Sequence, residues 1–331
     1  MKLKVLILIL LTAGTLTFIL IFTKKSLQKS IHVIWIDSYN KGFPLSDEKE
    51  TVFRNIFSKN NIDFTVFRMN SKRYKDDNNL SIIASQIYDQ LNSLNVSAVI
   101  ASDDAVQKYL VVPYLLNKDI PVIFCGVNWS ADDYGYPAEN VTGVLEVDNT
   151  STLVSIFSNF GINDNIGFLT VSGDLTEKKQ IKHYLDIIDP HNIFISEPDF
   201  ESYKKNFLAA QKKCSALILG SFSAIPDWNQ GEAEIFFRSN TSIPTGSFLE
   251  FMLPYTCFTV NRFSSEQAIL ASELTLEILK GKKPSDFPIR INSSSEIYIN
   301  TELTEILKLK IPHSLLKKAR IYERQIKITN Y

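Results

Sequence analysis

Polar and aromatic side chains follow several apolar runs of this sequence, at positions where parallel strands would end. The clearest case is residues 119–128, DIPVIFCGVN, in which an apolar run stops at Gly126 and is followed by Asn128 and then Trp129. In an open parallel sheet, ligands bind beyond the carboxyl ends of the strands. Amide, hydroxyl, carboxylate and ring groups placed there could hold a small polar molecule.

The strand-end rule selects candidate binding residues in both halves of the chain. In the first half they are Ser38, Tyr39, Asp103, Asn128 and Trp129. In the second half they are Ser172, Asp174, Ser221, Phe222 and Glu250. These residue types suit a small zwitterion or a polar ring compound. A carboxylate could lie on helix N-termini, an amine on Asp or Glu, and a ring against the aromatic side chains.

Several of these candidates also have a purely structural explanation. Asp104 could simply cap the helix that follows, as could its neighbour Asp103, because capping is a common use of aspartate at that position. Trp129 could belong to the core beneath its loop, Tyr39 could be a solvated loop residue, and Asn128 could close a turn. Glu250 is different, because a carboxylate inside an apolar stretch more often marks a binding site or an interface.

The sequence gives little support for catalysis. It contains no G-x-x-x-x-G-K-[ST], H-E-x-x-H or G-x-S-x-G motif, and no G-x-G-x-x-G follows Asp37 or Asp103. Adjacent aspartates on a helix point about 100° apart, which is poor geometry for a paired acid and base. The four histidines are scattered, and none ends a predicted strand. We therefore expect no enzyme activity, no cofactor and no metal site. A secreted α/β enzyme is the alternative that Ser, His and Asp clustered at one strand end would favour, and the sequence shows no such cluster.

Composition bounds the class of protein. The 331 residues are 45% apolar and 21% charged, which allows one large domain or two domains with a substantial core. The net charge of −1 argues against nucleic acid as a partner. The odd cysteine count excludes a complete disulfide framework. Each cysteine stands beside an apolar run, so we expect Cys125, Cys214 and Cys257 to be small core residues.

The N-terminus predicts export. Two lysines precede the apolar residues 5–22, and Lys24 and Lys25 follow them. This pattern is typical of a signal peptide or of an uncleaved membrane anchor, and both alternatives fit residues 1–29. We expect the chain from about Ser30 onward to lie in the periplasm or on the outer face of the cytoplasmic membrane, with membrane contact through the N-terminal segment only.

Behind the candidate residues, the sequence alternates between strand and helix patterns. Continuous apolar runs such as Ile31–Asp37 are typical of strands buried on both faces. The predicted strands are 31–37, 64–67, 97–101, 122–125, 141–147, 166–170, 194–196, 216–219, 243–245 and 297–299. Helical spacing follows most of them, for example over 80–94, 105–116, 150–160, 175–188, 200–213, 232–239 and 264–280. The pattern predicts two successive α/β halves, each with a mostly parallel sheet.

Three stretches resemble a known family when they are taken together and in order. They are IPVIFCGVN (120–128) with ENVTGV (139–144), SEQAILASELTLEILKGKKPSDFPI (265–289) and INTELTEILKLKIPHSLLKKARIY (299–322). They resemble the substrate-binding proteins of ABC transporters, in the uncharacterised branch that includes tryptophan- and tyrosine-type binders. The resemblance covers residues 31–322.

The resemblance implies the α/β two-lobe type I periplasmic-binding-protein fold, in which each lobe is a mostly parallel sheet flanked by helices and three hinge crossovers join the lobes. The crossovers would fall near 146–149, 257–261 and 290–296, which makes Asn261 a further candidate beside a hinge. The first lobe would comprise residues 30–147 plus 258–290. The second lobe would comprise residues 148–257 plus 291–331.

The resemblance also implies a function. The protein would capture a small solute between its lobes, an amino acid or a related small aromatic or carboxylated molecule, and deliver it to an ABC permease. This chain departs from the pattern in two places: no cysteine follows the N-terminal segment to take a lipid, and YTCFTVNRF stands where the family has G-A-L-x-x-Y. The alternative is a membrane-anchored sensing module that signals to a separate membrane sensor protein.

Overall fold

The computed structural model of the protein describes residues 30–74, 76–173 and 175–323. These residues form two β-sheets, and each sheet is the centre of one lobe. The strands of the first sheet are β1 His32–Asp37, β2 Asp63–Arg68, β3 Ala98–Ser102, β4 Val122–Asn128, β5 Val141–Glu146 and β11 Arg290–Ile291. Those of the second are β6 Ile166–Val171, β7 Ile193–Ser196, β8 Ala216–Leu219, β9 Thr245–Ser247, β10 Phe258–Arg262, β12 Ser295–Asn300 and β13 Ala319–Tyr322.

Helices connect most of these strands. In the first lobe they are α1 Pro44–Lys59, α2 Asp77–Asn92, α3 Asp103–Val106 and α8 Ser264–Leu279. In the second lobe they are α4 Thr150–Ser158, α5 Leu175–Leu185, α6 Phe200–Gln211, α7 Gln230–Asn240, α9 Thr301–Ile306 and α10 His313–Leu316. Short 3₁₀ segments lie at Asp132–Tyr134, Pro190–Asn192, Glu250–Tyr255 and Pro284–Asp286. None of the helices in the described ranges is long and apolar enough to cross a membrane.

Both sheets are mostly parallel, as the apolar runs predict. The first sheet has the order β11-β5-β4-β3-β1-β2 with parallel pairing throughout, and the second has the order β13-β12-β10-β9-β8-β6-β7 with one antiparallel pair, β10 with β12. Alternate residues of β1 pack into two different apolar clusters, Ile34 and Ile36 in one and Val33 and Trp35 in the other. The sheet is therefore buried on both faces, which explains the continuous apolar run of β1.

The last third of the chain is divided between the lobes. Helix α8 packs on α1 and β4 of the first lobe, whereas β12 and β13 extend the second sheet. Strand β10, which the sequence interpretation gave to the first lobe, pairs with β9 and β12 of the second sheet. Phe258 and Val260 of this strand are buried in a second-lobe cluster. We therefore propose that this crossover lies between Arg262 and Ser264, later than 257–261.

The helix predicted over 105–116 is the main local difference. An α-helix covers only Asp103–Val106, and a π-helix continues it over Gln107–Leu115. Pro113 lies inside this segment and has no backbone N–H to donate, so it disfavours a regular α-helix there. The helix begins earlier than predicted, so Asp103 and Asp104 lie in its first turn, directly after β3. They are therefore at the carboxyl end of this strand, on the side of the sheet that faces the second lobe.

Candidate functional site

A cavity lies between the lobes, beyond the carboxyl ends of strands from both sheets. We call it the inner cavity. From the first lobe it is lined by Tyr39, Phe43, Leu45, Lys49, Lys72, Asp103, Asn128, Trp129 and Glu146. From the second lobe it is lined by Thr176, Glu177, Gln180, Ser221, Ser223, Leu249, Phe251 and Arg262. Its volume of about 50 Å³ is small, since ligand pockets usually have roughly 300–1,000 Å³.

A buried ion pair forms the first-lobe wall of the inner cavity. Lys49 Nζ lies 3.4 Å from Asp103 Oδ2, and only 2% and 4% of the two side chains are exposed. Lys49 reaches this position because it lies on the buried face of α1, four residues before Phe53. Gly126 makes room for the pair: a Cβ at Gly126 would lie 2.8 Å from Asp103 Oδ1 and 3.0 Å from Lys49 Nζ. Position 126 also has a φ of +69°, which favours glycine.

Burial and neighbouring carboxylates perturb the acidic groups here. Burial raises the pKa of Asp103 to about 7, the Lys49 ammonium opposes that rise, and the Glu146 carboxylate adds to it. Burial also raises the pKa of Asp37 to about 6, against the attraction of Lys49 and Arg68. Asp103 is therefore a carboxyl group that gains a proton near neutral pH, and a cationic partner would favour its ionised form.

The charges that line the inner cavity balance. Among the described residues they are the carboxylates of Asp103, Glu146 and Glu177 and the cations of Lys49, Lys72 and Arg262. Arg262 Nη2 lies 3.2 Å from Glu146 Oε2, and its other terminal nitrogen pairs with Asp148. A lining of this kind offers acceptors for an ammonium group and donors for a carboxylate at the same time.

Helix α5 of the second lobe lies directly against the first lobe. Lys179 Nζ is 2.8 Å from Asp104 Oδ1 and donates to the Ser130 carbonyl oxygen at 2.7 Å. Glu177 Oε1 is 3.0 Å from Lys72 Nζ. These pairs join the lobes across the cleft, and we call this arrangement the closed form.

Trp129 takes part in the same interface. Its backbone has a φ of 55°, and its ring stacks on His183 of α5 with centroids 4.8 Å apart and planes 12° apart. Burial lowers the pKa of His183, which favours the neutral ring. The indole Nε1 is buried and has no hydrogen-bond partner among residues 30–74, 76–173 and 175–323. One ring face of Trp129 is thus covered by the second lobe, while its N–H remains available as a donor.

The structure brings part of the predicted site together. Five of the sequence candidates line the inner cavity: Tyr39, Asp103, Asn128, Trp129 and Ser221. Tyr39 is a lobe contact, and not a solvated loop residue, because its hydroxyl lies 3.4 Å from Thr176 Oγ1 across the cleft. Asp174 lies outside the described residues.

The other candidates lie elsewhere. Ser38 is buried and its hydroxyl pairs with Ser71 Oγ at 3.0 Å, whereas the backbone N–H of Ser172 donates to Ser196, and neither serine lines the cavity. Asn261 is buried on β10 and donates to Glu250 Oε2 at 3.4 Å. Phe222 and Glu250 line a neighbouring groove, which is described below.

The capping interpretation of Asp104 is wrong. Its carboxylate accepts hydrogen bonds from Asn128 Nδ2 and Tyr134 Oη, each at 2.8 Å, in addition to the pair with Lys179. The Asp104 side chain therefore organises the loop after β4 and attaches it to the second lobe. Asn128 is oriented by this carboxylate, so it does more than close a turn.

Sequence reasoning missed several charged residues of the inner cavity. Lys49 carried a signal, because a lysine on the apolar stripe of α1 needs a buried partner. Glu146 also carried one, since it ends β5 and the strand-end rule applies to it as to the others. Lys72, Glu177 and Arg262 gave no local signal, because their partners lie on other segments that only the folded chain brings close.

Comparison with known proteins shows which solved structures have a similar fold. Neither a family model nor a curated protein sequence matches the chain significantly. Among solved structures, an ABC domain from Streptococcus pneumonia in complex with L-Trp is similar, with a TM-score of 0.66, 16% identity and coverage of 88% of this chain and 99% of that one. A substrate-binding protein with adhesive properties from Clostridium difficile, in its ligand-free, open form, has a TM-score of 0.63 and 15% identity, and covers 89% and 100%.

A periplasmic ribose ABC transporter protein from Conexibacter woesei is also similar, with a TM-score of 0.54, 13% identity and coverage of 88% and 98%. Identities this low establish the architecture and leave the ligand open. The architecture agrees with these neighbours in three features. It has two mostly parallel sheets, the chain crosses from one sheet to the other after β5, β10 and β11, and a cavity lies between the strand ends. The chain therefore has the two-lobe fold of the type I periplasmic binding proteins.

Proposed function

We propose that the protein is an extracytoplasmic solute-binding protein of an ABC-type uptake system, and that it captures one small solute between its lobes. The solute is an amino acid or a related small aromatic or carboxylated molecule. The observation that carries the proposal is the inner cavity itself, where charged side chains of both lobes converge. Residues 5–22 would export or anchor the protein, and a permease would receive the closed form.

The charge pattern favours a zwitterion over an ion of single charge. Asp103 and Glu146 can accept an ammonium group, and Lys72 and Arg262 can donate to a carboxylate. Arg262 Nε is buried without a hydrogen-bond partner in the described part of the chain, so one donor is still unused. A solute that carries both charges would satisfy these groups and leave the cavity neutral, which limits the desolvation cost of a buried charge.

The cavity must expand before it can hold such a solute. Its present volume of about 50 Å³ suffices for a few water molecules and not for an amino acid. Separation of Lys72 from Glu177 and of Lys179 from Asp104 would open the cleft. Renewed closure around the solute would exclude water, which strengthens each hydrogen bond in the cavity. Hinge closure of this type is one of the common conformational changes of two-lobe proteins.

A thermal-shift screen tests the proposal. The purified protein is heated with amino acids, nucleosides and small acids, each in excess. A solute at one hundred times its Kd should stabilise the fold by about 2.7 kcal/mol. We expect the shift from an amino acid, and expect Trp129→Ala to lose it while the unliganded protein stays folded. A screen in which none of these solutes shifts Tm would contradict the proposed function.

A further inference from the structure

We propose that the protein has a second binding site, outside the inner cavity, for an organic cation with an aromatic or bulky apolar body. The site is a groove that we call the outer groove. The lining residues that bear on this proposal are Glu48 of the first lobe and Phe222, Trp228, Glu250, Phe251 and Tyr255 of the second. The groove has a volume of about 740 Å³, within the range of small-molecule sites.

The outer groove and the inner cavity share two apolar lining residues. Leu45 of α1 and Phe251 line both. Leu45, although it belongs to the first lobe, packs on the apolar cluster of the second lobe. The two spaces are therefore neighbours where the lobes meet. The ion-paired residues of the inner cavity do not line the groove, so a molecule in the groove does not need to displace those pairs.

The walls of the outer groove are aromatic. Phe222 stacks on Trp228 with centroids 4.3 Å apart and planes 4° apart, and Phe251 meets the Phe222 ring nearly edge-on at 5.2 Å. Tyr255 also meets Trp228 edge-on, and the Trp228 Nε1 donates to its hydroxyl at 3.3 Å. This network fixes the ring positions, while Phe222, Trp228 and Phe251 stay partly exposed to the groove.

The charge of the outer groove differs from that of the inner cavity. Its charged lining residues, within the described ranges, are Glu48 and Glu250, and no lysine, arginine or histidine accompanies them there. Glu250 accepts a hydrogen bond from Asn261 at 3.4 Å, which orients the carboxylate without neutralising it. Aromatic faces and carboxylates both attract a cation, and a poorly hydrated quaternary ammonium group fits this combination best.

The two carboxylates come from different lobes. The outer groove is lined both by α1 of the first lobe and by residues 250–255 of the second, so separation of the lobes would divide it. A cation held between Glu48 and Glu250 therefore favours the closed form. Through closure, a ligand in the groove should strengthen solute binding in the inner cavity, and the reverse must hold to the same extent. This coupling rests on the proposed solute-binding function, whereas the groove site itself does not.

Isothermal titration with benzyltrimethylammonium chloride tests the site, with benzyl alcohol and sodium phenylacetate as neutral and anionic probes at equal ionic strength. We expect saturable binding of the cation, and no saturable binding of the neutral or the anionic probe. Glu48→Gln combined with Glu250→Gln should weaken it by about tenfold, and Phe222→Leu by a similar factor. Glu197→Gln is the matched control, because Glu197 is an exposed second-lobe carboxylate outside the groove and the inner cavity, and it should change nothing.

The proposal is overturned if the cation does not bind, if benzyl alcohol or phenylacetate binds as tightly, or if the double variant binds like the wild type. Circular dichroism of each variant establishes that it is folded. The Asp103→Asn variant separates the two sites, since it alters the inner cavity and should retain the cation. A protein that binds the cation but no solute in the thermal screen would retain this site and lose the proposed function.

Discussion

Removal of the Lys179 ammonium should open the cleft without unfolding either lobe. Lys179→Met keeps the length and apolar stem of the side chain on α5, and it deletes the pair with Asp104 and the hydrogen bond to the Ser130 carbonyl. Asp104 would still accept from Asn128 and Tyr134 of its own lobe, so the first lobe keeps its local structure. The substitution therefore acts mainly on the contact between the lobes.

The magnitude follows from the geometry. At 2.8 Å, an ion pair in an effective dielectric constant of 20 gains about 6 kcal/mol of Coulomb energy before desolvation. Desolvation offsets much of that gain, because the Asp104 side chain is fully buried and Lys179 is 11% exposed. A hydrogen bond to a charged group contributes a net of about 1.5–3 kcal/mol. The ratio of closed to open protein should thus fall by about tenfold to hundredfold.

Pulsed electron paramagnetic resonance between spin labels at Lys41→Cys and Glu201→Cys measures this change. Both positions are exposed, one in each lobe, and the native cysteines are buried and should not react. We expect a longer mean distance in Lys179→Met. Lys182→Met is the matched control, because Lys182 is 77% exposed and lies 4.0 Å from Asp133 across the same cleft. A surface pair of this kind contributes about 0–1 kcal/mol. Equal distances in wild type and Lys179→Met would refute the reasoning.

Two further predictions concern the inner cavity. Gly126→Ala should lower the free energy of unfolding in a denaturant titration by about 1–3 kcal/mol, because its Cβ would crowd Asp103 at a positive φ. Gly135→Ala has a similar φ of +72° but open space, so an equal loss there would contradict the crowding argument. The pKa of Asp103 is raised to about 7, so its carboxyl group is protonated at lower pH and cannot attract an ammonium group. The affinity for an ammonium-bearing solute should therefore rise with pH, by up to about tenfold per pH unit, and level off above pH 7. Calorimetry at several pH values should show that the Asp103→Asn variant binds the solute weakly and that its affinity does not rise with pH. If the affinity of this variant still rises with pH, Asp103 is not the origin of the rise.

The sequence predicted the layers of the fold better than the contacts between them. Continuous apolar runs such as Ile31–Asp37 identify strands buried on both faces, and the helical spacing between them predicts a parallel sheet. The rule that ligands bind at strand ends then selected Asp103, Asn128 and Ser221, which line the inner cavity, because the rule depends only on chain order and strand direction. Such features are local, so one sequence suffices to find them.

The remaining features depend on how the lobes meet. Lys72 and Glu177 are 105 positions apart in the chain, and nothing near either residue indicates its partner. Phe222 and Glu250 do follow strands of the second sheet, but they line the outer groove and not the inner cavity, and only the way in which the lobes meet divides the two spaces. The pairing of β10 with β9 and β12, from which we propose a later crossover, was not predictable for a similar reason, since it is a property of the folded sheet.

The same pair of spin labels tests the central claim, which is that the lobes close on a solute between them. The measurement is the distance between positions 41 and 201 in Lys179→Met, with and without the solute that raises Tm in the screen. We predict a long distance without solute and a return to the shorter distance of the closed form with it. A solute that binds at calorimetric saturation and leaves the long distance unchanged would contradict the account.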